Sequence, residues 1–187
     1  MEQQLVLVNE KDEITGTAGK LETHEKGLLH RAFSIFIFNS KGEMLLQRRS
    51  LEKYHSAGLW SNACCSHPAA GEDLKHAAHK RLKEEMGFET ELTPAFHFIY
   101  KAVFDNGLTE YEFDHVFTGE YDGQVRYNED EVMDFCFKTM NEIKNSILSN
   151  PASYTAWFIE AFPKIADWWQ NKSKPVIDRA IDPDPFA

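Results

Sequence analysis

Positive charge is scarce in this sequence. Twenty Lys and Arg stand against thirty Asp and Glu in 187 residues, a formal net charge of −10. So acidic a chain is a poor partner for nucleic acid or for an anionic membrane, and neither is expected. Any anion it binds must be met by a local group of cations or by a metal. Cysteine is scarce too: three in all, with Cys64 and Cys65 adjacent. An odd count without a spacing pattern excludes a disulfide framework and favours a reducing compartment. No run approaches the ~18 apolar residues of a spanning helix. Met1-Glu2-Gln3-Gln4 lacks the basic start and apolar core of a signal peptide. The expectation is therefore a cytoplasmic protein. Hydrophobic residues at 42% and charged residues at 27% exclude wholesale disorder, collagen and a simple coiled coil. There is no internal repeat.

The length suits one domain, placed at residues 1–170, with a polar, proline-bearing tail at 171–187. β-Branched and aromatic runs predict strands at 4–8, 32–38, 43–47, 59–65, 96–104, 110–121 and 134–139. Residues 15–29 and 49–58 read as loops, 39–42 as a turn, and 105–107 and 122–123 as hairpin turns. Helices are predicted at 73–86, 141–148 and 155–170, with Gly87 closing the first and Pro163 kinking or ending the last. The fold class is α/β of the α+β kind, a mixed sheet flanked by a few helices.

Several charged residues break this pattern. On helix 73–86, Arg81 and Glu85 fall inside the apolar stripe of Leu74, Ala77, Ala78, Leu82 and Met86. Buried charges are costly unless paired or bound to something. An i,i+4 ion pair is one reading; a metal-binding carboxylate beside an anion-binding cation is the other. Glu110 and Glu112 alternate onto one face of a strand, either as a solvated edge or as ligands of a divalent cation. His24, His30 and His67 could complete such a site, although none has zinc-finger spacing. Cys64 and Cys65 point to opposite faces, so one is packed and the other faces a cleft with His67. Arg48, Arg49 and Lys53 cluster in one loop, and with Lys20 and Arg81 they could neutralise a di- or triphosphate.

Ser66-x5-Glu72-x7-Lys80-Arg81-Leu82-Lys83-Glu84-Glu85-Met86-Gly87-Phe88 is similar to the Nudix box, G-x5-E-x7-R-E-U-x-E-E-x-G-U. Ser66 replaces its first glycine, and Lys80-Arg81 replaces Arg-Glu. With those departures the chain resembles the type I isopentenyl-diphosphate Δ-isomerases, a Nudix-fold family, from about Leu5 to Trp157. The specific pieces are Thr15-Gly16-Thr17, His24, 29–34, Leu45-Leu46-Gln47-Arg48-Arg49, 60–68 with Asn62, Cys65, His67 and Pro68, Glu110-Tyr111-Glu112, and 130–134. Ser66 stands where the family commonly has glycine between the catalytic Cys and the His.

The resemblance implies a Nudix-like fold and conversion of isopentenyl diphosphate to dimethylallyl diphosphate through a carbocation. By that resemblance Cys65 and Glu112 are the acid/base pair, with Tyr100 assisting, and Trp157 faces the developing cation. Lys20, Arg49, Lys53 and Arg81 match diphosphate-binding positions. Glu85 matches the carboxylate that holds Mg²⁺ on the diphosphate. His24, His30, His67, Glu110 and Glu112 match ligands of a second divalent metal, Mn²⁺, Mg²⁺ or Zn²⁺. The partner is a small isoprenoid diphosphate. Two other readings compete: a Nudix hydrolase acting on a nucleoside or prenyl diphosphate, which the missing Arg-Glu carboxylate weakens, and a non-catalytic binding module, which would need no acid/base pair.

Overall fold

The run of buried residues from Ala32 to Phe38 forms the core of the strand on which the rest is assembled. In a computed structural model describing residues 3–53, 55–104 and 106–172, nine strands and four helices follow in order. They are β1 (Gln4–Val8), β2 (Ile14–Gly19), α1 (Lys20–Lys26), β3 (His30–Phe38), β4 (Met44–Arg49), β5 (Trp60–Asn62), β6 (Cys64–Ser66) and α2 (Leu74–Met86). Then come β7 (Thr93–Val103), β8 (Thr109–Glu120), β9 (Val132–Lys138), α3 (Met140–Ser149) and α4 (Ala156–Lys172). All nine strands belong to one mixed sheet. β3 pairs antiparallel with β1, β4 and β6, and parallel with β8.

Strand alternation sorts β3 into two cores. Phe33, Ile35 and Ile37 pack with Ala77, Ala78, Leu82 and Met86 of α2. Phe36 and Phe38 pack with Phe158, Ala161, Phe162 and Ile165 of α4. A strand covered on both faces has little need of polar residues, so β3 reads as a near-continuous apolar run from Ala32 on, broken by Ser34. On α2, the Asp73 side chain accepts the His76 N–H at 2.8 Å, and Gly87 ends the helix in the left-handed region (φ 75°). A Cβ at Gly87 would lie 2.0 Å from the Arg126 carbonyl oxygen, so conformation and space both demand glycine there.

The sequence reading differs from the structure in four places. Residues 15–29 are not a loop, since they hold most of β2 and all of α1. β2 is half exposed and pairs with β1 through its backbone, so its side chains carry little apolar signal. The expected strand 59–65 is interrupted at Ala63, because β5 pairs with β4 whereas β6 pairs with β3. Residues 122–123 do not turn a hairpin, because β9 returns antiparallel to β4 and not to β8. α4 runs through Pro163 to Lys172, so Asn171 is helical, while residues 173–187 of the expected tail lie outside the described residues. Asp105 of the other expected turn also lies outside them. That turn is closed by the Phe104 N–H bonding the Leu108 carbonyl at 2.9 Å.

Candidate active site

The face of the sheet that carries Phe36 changes character toward one end. Cross-strand register sets Tyr100 beside Glu112 and Glu112 beside His30, and sets Ser34 beside Cys65. Glu110, Glu112, Asp114, Ser34 and Tyr100 all alternate onto this face, and all are buried. Lys20 at the start of α1, Arg49, Lys53 and His55 around the β4–β5 loop, Arg81 and Glu85 of α2, and Trp157 of α4 close a pocket of about 90 Å³ over it.

His24, His30, His67 and Glu112 each offer a ligand atom, and these atoms lie within 4.8 Å of one another. The second ring nitrogen fixes the tautomer in two of the three histidines. His24 Nδ1 is 2.7 Å from the Lys20 carbonyl oxygen and His30 Nδ1 is 2.8 Å from that of Leu28; both nitrogens must donate, which leaves Nε2 as the ligating nitrogen of each ring. His30 Nε2 lies 3.2 Å from His67 Nε2, which is 2.8 Å from Glu112 Oε1. A proton on His67 can serve that group but leaves His24 Nε2, which is buried without a partner. Burial also holds His67 neutral, lowering it from 6.5 to about 4 against the pull of Glu112. Three imidazoles and a carboxylate converging on one point suit a divalent cation. Glu110 lies beside this group and not within it. Tyr100 bridges the two carboxylates: its single hydroxyl proton goes to Glu112 at 2.7 Å, and its oxygen lies 3.0 Å from Glu110 Oε2.

The two carboxylates are driven apart in proton affinity, a pattern associated with acid/base work. Burial and the neighbouring Glu112 charge raise Glu110 well above the carboxylate range. Burial acts on Glu112 in the same direction, but His67 and His30 outweigh it and hold Glu112 well below that range. Cys64 is packed in the α2 core, whereas Cys65 lines the pocket, as strand alternation requires. Burial, with Asp114 nearby, pushes the Cys65 thiol far up, so it rests protonated. All three cysteines are free.

At the other end the cations gather. Arg81 reaches Glu84 at 2.7 Å and Glu85 at 2.6 Å, so the ion pair anticipated from the helix stripe is present. Glu85 is 5% exposed, and its other oxygen accepts from Gln47 at 3.0 Å. A carboxylate has about four lone-pair sites, which leaves Glu85 able to take a metal ion on its pocket side. Lys53 pairs with Glu131. Burial and then the neighbouring Arg81 lower the Lys20 ammonium from its usual value, against the pull of Glu112. The Arg49 guanidinium lies 5.0 Å from the centre of the Trp157 ring.

Three features in or behind the pocket escape sequence reasoning. His55 stacks on Phe104 at 5.2 Å and meets Trp157 edge-on at 5.9 Å. Burial and Arg49 lower it to about 3. A histidine in a polar loop gives no sequence signal of this. Asp114 is 1% exposed and accepts the Ser34 hydroxyl at 2.7 Å; its place on the Glu110–Glu112 face is the signal that could have found it. Asn62, within the quoted motif, receives the Cys65 thiol at 3.0 Å.

Residues 28–158 match the NUDIX domain. The chain is 49% identical over 167 residues to the isopentenyl-diphosphate Delta-isomerase of Pectobacterium atrosepticum, covering 89% of this chain and 93% of that one. It is 51% identical over 158 residues to isopentenyl-diphosphate Delta-isomerase 2 of Photorhabdus laumondii, covering 84% and 89%. The solved structure of DR0079 from Deinococcus radiodurans superposes with a TM-score of 0.69 at 18% identity, over 92% of this chain and 100% of that one. The MutT protein of Methanosarcina mazei gives 0.63 at 20% identity, over 78% and 96%. These two likenesses speak to the fold alone. The chain belongs to the isopentenyl-diphosphate Delta-isomerases of the NUDIX superfamily.

Proposed function

We propose that this protein interconverts isopentenyl diphosphate and dimethylallyl diphosphate, in the cytoplasm, by adding a proton at one end of the allylic unit and removing one from the other. The observation that carries the reading is the enclosure of a protonated thiol, Cys65, and an ionised carboxylate, Glu112, in one buried pocket whose far end is cationic. An alkene is a very weak base, so its protonation leaves a tertiary carbocation that must meet a base and no water. Cys65 and Glu112 act as that acid/base pair. Tyr100 holds Glu112 in place and passes protons between it and Glu110. Trp157 offers an aromatic face to the cation, worth about 1–2 kcal/mol when desolvated. Lys20, Arg49, Lys53 and Arg81 anchor the diphosphate, which positions the five-carbon chain.

His24, His30, His67 and Glu112, with Glu110 beside them, would hold one divalent cation, and Glu85 would hold Mg²⁺ against the diphosphate; when bound, these cations neutralise charge and tune the acidity of Glu112. Mn²⁺, Mg²⁺ and Zn²⁺ all suit the mixed imidazole and carboxylate set. Hydrolysis is disfavoured, because Arg81 stands where a third box carboxylate would be and engages Glu84 and Glu85. Incubation with isopentenyl diphosphate should yield the dimethylallyl isomer and release no phosphate. Phosphate release from that substrate or from nucleotides, without isomer, would sink the reading.

A further inference from the structure

The thiol of Cys65 and the indole of Trp157 come from elements 92 positions apart in sequence, yet they are joined through two buried side chains. Trp157 Nε1 donates to Ser61 Oγ at 2.8 Å. Ser61 Oγ donates to Asn62 Oδ1 at 3.0 Å. Cys65 Sγ donates to the same oxygen at 3.0 Å. Ser61 is 2% exposed, Asn62 0% and Trp157 4%.

The direction of each bond follows from chemistry alone. An indole N–H can only donate, so Ser61 Oγ accepts it. Ser61 also accepts the Thr155 hydroxyl at 3.2 Å, which leaves its own single proton for Asn62. The Asn62 amide cannot turn over: its NH₂ group donates to the carbonyls of Ile35 at 3.1 Å and Cys64 at 2.9 Å. Its oxygen therefore faces Cys65 and Ser61, and the thiol must be the donor. The Cys65 sulfur also lies 3.3 Å from Ser34 Oγ, whose proton goes to Asp114.

We propose that Ser61 and Asn62 are positioning residues for the isomerisation: the buried bridge Trp157–Ser61–Asn62–Cys65 fixes the acid/base thiol and the cation-facing indole relative to one another. The proposal rests on the isomerase reading. Proton transfer to carbon tolerates little error in approach, and a shift of about 1 Å can cost 10²-fold in rate. Ser61 and Asn62 supply that alignment through bonds to Trp157, Thr155, Cys65 and the backbone, and not to the diphosphate-binding cations. Its loss is expected to act on kcat and not on KM.

The test compares three variants with wild type, reading kcat and KM for isopentenyl diphosphate together with melting temperature. Ser61→Ala removes the central hydroxyl and should lower kcat about fivefold or more, leaving KM within about twofold. Ser61→Thr restores a hydroxyl and should recover kcat to within about twofold of wild type. Thr155→Val removes a bond to Ser61 that is outside the bridge, and should lower the melting temperature while kcat holds. A Ser61→Ala enzyme with wild-type kcat overturns the bridge, as does one that loses stability and kcat only in step with Thr155→Val. If wild type itself forms no dimethylallyl diphosphate, the isomerase reading fails and the catalytic role of the bridge fails with it. Wild-type turnover with an indifferent Ser61→Ala sinks the bridge alone.

Discussion

His30 Nε2 and His67 Nε2 face each other across 3.2 Å, inside a group that also holds Glu112 and the unpartnered nitrogen of His24. A proton on His67 joins that pair but leaves the His24 nitrogen unserved, whereas one divalent cation would serve all three rings. Purified protein is expected to carry about one tightly held divalent ion per chain besides any Mg²⁺ that arrives with substrate. His24→Ala and His67→Ala should each lower that content and activity about 10-fold or more. Metal analysis by mass spectrometry checks it, and full activity in both ion-free variants would remove the site.

The two adjacent cysteines should separate cleanly. Cys65→Ala is expected to lower turnover by about 10²–10⁴-fold with little change in melting temperature, because Cys65 lines the pocket. Cys64→Ala, in the α2 core, should lose about 1 kcal/mol or more of stability and stay active. Reversal of the two outcomes would contradict the assignment.

Acid should weaken the metal-free fold in a defined window. The unfolded chain protonates its histidines near 6.5, whereas folded His67 and His55 do so only at about 4 and about 3. Between these values the unfolded state binds more protons, so stability falls as pH drops from 6.5 toward 4. Each group contributes a slope of up to about 1.4 kcal/mol per pH unit. Urea melts at several pH values should show a shallower dependence for His55→Asn than for wild type, and an unchanged dependence would contradict the burial argument.

Arg81 and Glu85 distinguish a binding role from a structural one. Glu85→Gln should weaken the dependence of activity on Mg²⁺, and Arg81→Ala should raise KM for the diphosphate about 10-fold. A purely structural pair would instead lower both melting temperatures and leave substrate affinity intact.

Much of this was legible in the sequence because local periodicity reports on faces. Alternation set Glu110 with Glu112 and parted Cys64 from Cys65, and helical spacing put Arg81 and Glu85 on the core side of α2. The metal group was not legible in that way. Its parts meet through the parallel pairing of β3 with β8, which sets His30 opposite Glu112 across 82 positions of sequence, a long-range event that no local pattern records. His24 was hidden further, on a seven-residue helix too short to show a period. His55 and Asn62 depend on the packing of the β4–β5 loop and on the break at Ala63.

Deuterium uptake tests the central claim most directly. In deuterated water, isopentenyl diphosphate and its isomer should acquire deuterium at the carbons that gain and lose protons, seen by NMR. Uptake should vanish in Cys65→Ala and Glu112→Gln while both variants remain folded. Isomer formed without solvent deuterium, or uptake that persists in both variants, would contradict proton transfer by this pair.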